Sequence, residues 1–324
     1  MPLLPSSYRP PLFWQNGHAS TIYAGTLKKV YGISQNRERL PLPDGDYIDL
    51  DWSMPRNPSK KVVLLLHGLE GNAQRAYILG SAKHANQSGL DACAINLRGC
   101  SGTPNLKYRS YHSGATEDIT TVIGHIIAKN IYESIYILGY SLGGNLCLKY
   151  LGEGSEIPLQ VKGAVGISVP CELHSACIEL LKPKNKAYSW HFKRQLLAKL
   201  RKKQQMFPER ITKEAIKSIQ TLKDFDDIYT SKAHGFTDAL DYYKKCSCRQ
   251  FLSGIDVPSL IINAKNDSFL GPACYPYKEA RDNPKLFLET PHFGGHVGFW
   301  GKKGPTYAEQ RAIDFFAGLG KNGT

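Results

Sequence analysis

Short apolar runs separated by helical patterns dominate the first half of the chain. The runs are continuous rather than alternating, which predicts strands that are buried on both faces. They lie at 60–68, 90–99, 134–139 and 161–169. Helical patterns lie between them at about 74–88, from about 116 and at about 142–151. This order predicts the α/β class, with a mostly parallel central sheet and helices on both of its faces. An alternating stretch at 47–52 follows the turn "PDGD" and predicts an edge hairpin strand.

The alternation of strands and helices stops after the fourth run. From about 170 to 249 the chain is helical, polar and basic. Strand patterns then return, so we expect one α/β core made of 1–169 and 250–324, with 170–249 inserted as a helical cap. The later strand patterns and the last helix lie at 257–267, 285–290 and about 306–317.

The composition is that of a globular protein with enough chain to bury a core. Of the 324 residues, 42% are hydrophobic and 21% are charged. The eight cysteines are scattered, and their spacing does not suggest a disulfide framework. The N-terminus does not read as a signal peptide, and no apolar run approaches the roughly 20 residues that span a bilayer. We therefore predict a soluble cytoplasmic protein without a transmembrane anchor.

Basic residues are concentrated in the segment 182–207. The chain carries 41 Lys and Arg against 28 Asp and Glu, a net charge of +13, yet this segment holds no acidic residue. Its bases interleave with large apolar side chains, which predicts an amphipathic cationic helix. Such a face permits peripheral contact with an anionic membrane, but a solvated surface is the simpler interpretation, and we expect no nucleic-acid partner. The apolar members are Trp190, Phe192, Leu196, Leu197 and Leu200.

Ser141 lies between glycines, where a predicted strand meets a predicted helix. A serine hydroxyl is a weak nucleophile and needs a histidine to take its proton and a carboxylate to orient that histidine. Gly139 and Gly143 permit a sharp strand-to-helix turn, and the N-terminus of the following helix favours developing negative charge. An ordinary tight turn is the alternative. The strand–turn–helix context favours a nucleophile.

The partners of such a serine follow in the order Ser, Asp, His that α/β hydrolases use. Asp267 ends a predicted strand and is the natural orienting residue, because Asn266 carries no charge. His296 lies in a Gly-rich loop after the last predicted strand, and we prefer it as the base to its competitor His292. Two histidines four apart on a helix would suggest a metal, but the two glycines between them disfavour a helix. We therefore expect no metal and no cofactor.

The stretch "HGLEG" at 67–71 ends the first central strand. The second oxyanion donor of such enzymes lies at this position, so we expect the backbone N–H groups of Leu69 and Leu142 to hold the oxyanion. His67 reads more readily as a structural loop residue than as a base. Glu70 reads either as a surface residue or as one that narrows the acyl pocket. Candidate residues for the substrate pocket are His67, Gly68, Glu70 and Tyr140.

Six motifs resemble the YheT-like branch of the α/β hydrolases, which also contains membrane-anchored eukaryotic esterases and lipases. The resemblance runs from about Phe13 to the C-terminal helix. It implies a triad of Ser141, Asp267 and His296, a helical cap, and carboxylesterase-type activity on short- or medium-chain acyl esters. Unlike the membrane-anchored relatives, this chain has no predicted anchor. The motifs are "HGLEG", "NLRGCSGTPN", "YHSGATED", "GYSLGGN", "FDD…HGFTDALDYYKKCS" and "GGHVGF".

The resemblance also singles out residues outside the triad, namely 98–102, Tyr111-His112 and Asp226-Asp227, for which we favour a structural role. The leading hypothesis is a serine hydrolase that acts on a small acyl ester through an acyl-enzyme. Acyl transfer to an alcohol uses the same intermediate, and a non-catalytic module that binds anionic lipid or nucleic acid is a third hypothesis. We also expect 182–207 to form a mobile lid whose apolar face covers the acyl pocket.

Overall fold

A single nine-stranded sheet forms the centre of the computed structural model, which describes residues 2–154, 156–301 and 304–319. Its strands are β1 (Leu3–Leu4), β2 (Asn36–Pro41), β3 (Tyr47–Ser53), β4 (Lys61–Leu66), β5 (Asp91–Asn96), β6 (Ser134–Tyr140), β7 (Val161–Ile167), β8 (Ser259–Ile262) and β9 (Leu286–Glu289). Their spatial order is β1-β9-β8-β7-β6-β4-β5-β3-β2. Only the β2–β3 and β3–β5 pairs among these strands are antiparallel. The sheet is mostly parallel, as the α/β class predicts.

The predicted hairpin strand β3 is present, but it is not at the edge of the sheet. It pairs with β5 on one side and with β2 on the other. The sequence pattern did not predict β2 because most of its residues are exposed and only Leu40 is buried, which leaves no apolar alternation. Ion pairs across the hairpin hold it instead. Arg37 binds Asp51 through Nε and Nη2, at 2.6 and 2.8 Å, and Arg39 binds Asp49 through the same two nitrogens, at 2.8 and 3.0 Å.

Helices cover both faces of the sheet. They are α1 (Gly17–Ile22), α2 (Ala76–Gln87), α3 (Thr116–Ala128), α4 (Leu142–Gly152), α5 (Leu173–Leu181), α6 (Lys186–Met206), α7 (Lys213–Ser218), α8 (Leu222–Phe225), α9 (Ser231–His234), α10 (Ala239–Cys246), α11 (Tyr277–Asp282) and α12 (Tyr307–Leu319). In β4, Val62 and Leu64 pack with α3 and α4, whereas Val63 and Leu65 pack with α2 and α12. Successive side chains thus enter two separate cores, which explains why the central strands are apolar throughout.

Helices α5–α10 lie in the stretch 170–249, for which we keep the name cap. Helices α6, α7 and α8 share an apolar cluster that includes Leu196, Leu200 and Phe225, and α10 packs against α5 in a second cluster. The predicted cationic helix is interrupted near its start, because α5 ends at Leu181 and a 3₁₀ turn precedes α6. Part of its positive charge faces the protein. Lys203 is buried and donates to the carbonyl oxygens of two residues in the loop after β5, one of them at 2.9 Å, and burial lowers its pKa to about 8.

The cysteines are reduced, and the helices are not of the membrane-spanning kind, in the part of the chain that the structure describes. All eight cysteines are described by the structure, and each is buried and unpaired. Among the described helices, none combines the length and the apolar character needed to cross a bilayer.

Candidate active site

Ser141 occupies a strained turn between β6 and α4. Its φ and ψ are 52° and −119°, in a region that non-glycine residues rarely adopt. The turn is possible because the neighbouring positions have no side chain. A Cβ at Gly139 would lie 2.3 Å from the carbonyl oxygen of Gly143, and one at Gly143 would lie 2.4 Å from that of Leu66. The sharp turn places the serine hydroxyl beyond the carboxyl end of β6, as the strand–turn–helix pattern predicts.

The structure brings Ser141, His296 and Asp267 into one chain of hydrogen bonds. The distance from His296 Nε2 to Ser141 Oγ is 2.9 Å, and the distance from His296 Nδ1 to Asp267 Oδ2 is 2.8 Å. Asp267 is buried, and its second oxygen accepts the backbone N–H of Phe269 at 2.9 Å. The Phe269 ring lies against the imidazole, with ring centroids 4.3 Å apart. This arrangement can move a proton from the serine to the histidine while the aspartate holds the ring.

Residues 15–21, which include most of α1 and are called the N-terminal arm below, support the loop that carries His296. The His296 N–H donates to Thr21 Oγ1 in α1 at 2.8 Å, and the Gly295 N–H donates to Asn266 Oδ1 at 2.9 Å. The arm also fixes Asn266, whose amide donates to the carbonyl oxygen of Gln15 at 2.8 Å. Our sequence reasoning did not include these contacts, and only Asn16, a residue type that caps helices, signals α1 in the sequence. His292 is exposed and lies outside the hydrogen-bonded chain.

Leu69 and Leu142 present backbone N–H groups beside the serine. Both residues line the same cavity as Ser141, and no acceptor for either N–H is found among the described residues. The Gly68–Leu69 peptide is held from its other end. The Gly68 carbonyl oxygen accepts the Gly71 N–H at 3.0 Å and the Nδ1–H of His67 at 2.8 Å. Because C=O and N–H point in opposite directions in a trans peptide, this directs the Leu69 N–H away from the loop and towards the cavity.

His67 has a structural position, and this corrects the expectation that it lines the substrate pocket. Its side chain is completely buried, its Nδ1–H donates to Gly68, and its Nε2 accepts the Leu97 N–H at 3.1 Å. Burial lowers the pKa of His67 to about 3, so the ring stays neutral with its proton on Nδ1. His67 was a pocket candidate because it precedes Gly68 and Leu69 in the chain. Its ring instead packs against the backbone of this loop and does not line the cavity.

Two other pocket candidates also lie outside the cavity wall. The Tyr140 ring is buried, its hydroxyl lies 2.6 Å from Ser81 Oγ, and its centroid is 4.8 Å from that of Tyr77. The side chain at 140 therefore packs into the core that α2 and α12 cover, and not into the cavity wall. Gly68 packs directly against the nucleophile, since a Cβ there would lie 3.1 Å from Ser141 Cβ. Among the described residues that line the cavity, only Glu70 remains of the four pocket candidates.

The cavity lies between the core and the cap and has a volume of about 150 Å³. Ser141 and His296 open onto it from the core. Apolar residues of α5, α6 and α8 enclose it from the cap. These include Leu173, Ala176, Leu180, Leu196, Leu200, Leu222 and Phe225.

Glu70 links the 67–71 loop, which carries Leu69, to α6 of the cap. Its N–H donates to Tyr111 Oη at 2.9 Å, and the Tyr111 hydroxyl donates to Glu70 Oε1 at 2.7 Å. Lys199 of α6 reaches the same carboxylate oxygen at 3.0 Å. Glu70 also has a positive φ of 53°, so these bonds hold a strained residue directly after Leu69. Burial raises the pKa of Tyr111 well above its usual value, so this hydroxyl remains a donor.

We expect the substitution Tyr111→Phe to lower kcat by about 10- to 100-fold and to change KM by less than about threefold. The change removes the acceptor for the Glu70 N–H and one donor to its carboxylate, which loosens the loop that carries the Leu69 N–H. Steady-state kinetics on a p-nitrophenyl ester measure both constants. Tyr132→Phe is the control, because Tyr132 is also buried and bound to a carboxylate, that of Asp91 at 2.6 Å. Equal losses of kcat in the two variants would contradict a role in the oxyanion site.

The other residues that the motifs singled out divide into two groups. Arg98 and Asp227 are structural, as expected. Arg98 binds Asp118 with two nitrogens at 2.7 and 2.8 Å, and Asp227 accepts the Ala239 N–H at the start of α10 at 2.8 Å. In contrast, the second group lines the cavity with Ser141, so a purely structural interpretation is too narrow for it. This group comprises Tyr111, His112 and Asp226.

Comparisons with known proteins identify the family of the chain. A family model for the alpha/beta hydrolase fold matches residues 61–303. The chain is 34% identical over 295 residues to "Putative esterase YheT" of Escherichia coli (strain K12), covering 89% of this chain and 85% of that protein. It is 29% identical over 309 residues to "Phospholipase ABHD3" of Homo sapiens, covering 92% of this chain and 75% of that protein. The solved structure of the Pyrococcus furiosus esterase Pf2001 matches with a TM-score of 0.60 at 14% identity, over 90% of this chain and 96% of that one.

A mostly parallel sheet with a serine on a sharp strand-to-helix turn, and with an aspartate and a histidine after later strands, defines the α/β-hydrolase architecture. The chain belongs to the α/β-hydrolase family, in its YheT-like branch. Membership in this family supports hydrolase activity.

Proposed function

We propose that this protein is a serine hydrolase that cleaves carboxylic esters of short- to medium-chain acyl groups. The observation that carries the proposal is the hydrogen-bonded chain Asp267–His296–Ser141 at the wall of a largely apolar cavity. The names of relatives, an esterase and a phospholipase, support acyl esters as the substrate class. The buried, unpaired cysteines fit a reducing compartment, and we propose the cytoplasm as the site of action.

The proposed reaction begins when Ser141 Oγ attacks the ester carbonyl carbon. His296 Nε2 accepts the serine proton over the 2.9 Å contact, and Asp267 stabilises the imidazolium that forms. The carbonyl oxygen becomes an oxyanion that the Leu69 and Leu142 N–H groups bind. When the intermediate collapses, the bond between the carbonyl carbon and the alcohol oxygen breaks, and His296 returns its proton to the departing alkoxide.

The acyl group is then bonded to Ser141, and a water molecule releases it. His296 takes a proton from the water as the oxygen attacks the acyl carbon, and the same oxyanion donors act again. The Ser141–acyl bond breaks, the serine recovers its proton from His296, and the carboxylic acid leaves. An alcohol that replaces water in this step would produce a new ester, which is the acyl-transfer alternative.

A panel of p-nitrophenyl esters from acetate to palmitate tests the proposed function. We expect the highest kcat/KM for short or medium chains, because the apolar cap residues enclose the acyl group. Added ethanol, with quantification of acid and ethyl ester, separates hydrolysis from acyl transfer. No turnover of any ester above the uncatalysed rate would contradict the proposal.

The cap leucines are expected to set the preferred acyl length. Leu180→Phe places a larger side chain in the cavity wall, so we expect the ratio of kcat/KM for decanoate to that for butyrate to fall by about tenfold. Leu181→Phe is the matched control, because Leu181 is the next residue, is 41% exposed and lies outside the described wall. The two ratios are measured with p-nitrophenyl esters. An equal fall in both variants would show that α5 affects chain length only through the general stability of the cap.

A further inference from the structure

Asp226 is an acidic residue of the cap, and it lines the cavity on the side that the cap forms. It begins a π-helical turn, Asp226–Thr230, directly after α8. It lines the same cavity as Ser141 and His296, and it takes no part in the hydrogen-bonded chain of those residues. Isolated π-helical turns are frequent at functional sites, and this one places a carboxylate in the wall of a largely apolar cavity.

The Asp226 carboxylate has unused capacity to accept hydrogen bonds. The Thr230 hydroxyl donates to its Oδ1 at 2.7 Å, and the Tyr243 hydroxyl donates to its Oδ2 at 2.7 Å. A carboxylate offers about four lone-pair positions, so about half of them stay open. Burial raises the pKa of Asp226 to about 6, against the hydrogen bonds of these two hydroxyls. The group is therefore mostly ionised at pH 8.

The neighbouring Asp227 is a useful contrast. Its Oδ2 forms an ion pair with Lys223 at 2.6 Å, and its Oδ1 accepts the Ala239 N–H. Among the described residues, Asp226 has no such ion-pair partner, and Asp227 is not part of the cavity wall. Because an ionised carboxylate in an apolar environment is costly without hydrogen-bond donors, the open positions of Asp226 favour a donor on the ligand.

Polar groups of both the core and the cap lie on the same cavity wall, namely Ser113 and His112 of the core and Tyr242 of α10. The Tyr242 hydroxyl donates to Ser113 Oγ at 2.8 Å and accepts the Ser113 N–H at 3.0 Å. His112 Nδ1 accepts the Gly114 N–H at 3.1 Å, so the neutral ring carries its proton on Nε2. Burial lowers the pKa of His112 well below its usual value. The wall thus combines an apolar region with a small polar region, as a ligand with one apolar and one polar part requires.

We propose that Asp226 is a substrate-binding residue that accepts a hydrogen bond from a hydroxyl group of the ester. The inference rests on the proposed function and names the substrate class of the same site, namely acyl esters that carry a free hydroxyl. The hydroxyl lies either in the alcohol part, as in a glycerol monoester, or in the acyl part, as in a hydroxyacyl ester. Tyr243 and Thr230 orient the carboxylate, and the apolar cap residues contact the acyl chain.

Three substrates with the same ten-carbon acyl skeleton test this inference. They are 1-decanoylglycerol, ethyl 10-hydroxydecanoate and ethyl decanoate, and kcat/KM is measured for each by titration of the released acid at pH 8. We expect wild type to prefer one hydroxylated ester over ethyl decanoate. In Asp226→Leu, kcat/KM for that ester should fall by about 10- to 100-fold, while that for ethyl decanoate changes by less than about twofold. If kcat/KM falls for 1-decanoylglycerol, the recognised hydroxyl lies in the alcohol part. If it falls for ethyl 10-hydroxydecanoate, the hydroxyl lies in the acyl part.

Two further variants complete the experiment. Asp226→Asn keeps the shape and weakens the acceptor, so it should give a smaller loss in the same direction. Asp227→Asn should leave the ratio between the substrates unchanged. Equal losses on all three esters in the Asp226 variants, or an unchanged ratio, would overturn the binding role. If wild type hydrolysed none of the three esters, the proposed function itself would fail, which is a different result from a lost preference.

Discussion

Replacing Ser141 with alanine is expected to reduce ester hydrolysis by about 10⁴- to 10⁶-fold. The change removes the oxygen that lies 2.9 Å from His296 Nε2, and no acyl-enzyme can then form. Alanine is smaller than serine, so the packing against Gly68 is preserved and the melting temperature should change little. The measurements are kcat with p-nitrophenyl butyrate, covalent labelling by a fluorophosphonate, and thermal unfolding.

Ser110→Ala is the control for this experiment. Ser110 also lines the cavity, but its hydroxyl bonds to Tyr229 at 2.9 Å instead of to a histidine. Labelling should persist in this variant and vanish in Ser141→Ala. Equal labelling of wild type and Ser141→Ala would refute the assignment of Ser141 as the nucleophile.

The substitution His296→Gln should lower kcat by about 10⁴-fold or more, and the variant should remain folded. Glutamine cannot take the serine proton near neutral pH, and it cannot return a proton to the leaving alcohol. The rate of fluorophosphonate labelling should fall together with kcat, because both reactions need the same activated oxygen. Steady-state kinetics and the time course of labelling measure the two effects.

The matched control is His292→Gln in the same Gly-rich loop. His292 is exposed and lies next to Phe293, so its replacement should leave kcat within about twofold of wild type. A greater loss in His292→Gln than in His296→Gln would reverse the assignment of the base.

Much of the core could be predicted from the sequence because burial on both faces leaves a simple pattern. Strands β4, β5, β7, β8 and β9 each lie within a predicted run, and β6 extends one residue beyond its run, to Tyr140. Helix α4 begins where the pattern places it, directly after Ser141. The pattern failed for β2, which is held by Arg37 and Arg39 across the hairpin and has little buried surface. It also failed for β1, a two-residue strand that is too short for any periodicity.

The candidate site divides in the same way. Residue type and order along the chain select Ser141, Asp267 and His296, because strand ends at one edge of a parallel sheet converge. The orientation of the Leu69 peptide depends on His67, and the histidine loop depends on Thr21, which is 275 residues away in the chain. Such contacts carry no local pattern, so a sequence read element by element does not show them.

The sequence by itself determined the α/β class, the turn that exposes Ser141 and the identity of its two expected partners. Each of these follows from local chemistry: apolar runs form buried strands, glycines permit a tight turn, and only certain side chains move protons. Only the tertiary structure decided that His67 and Tyr140 lie outside the cavity and that Asp226 faces it. The direction of a side chain depends on packing between segments far apart in the chain, and that information appears only when the cap meets the core.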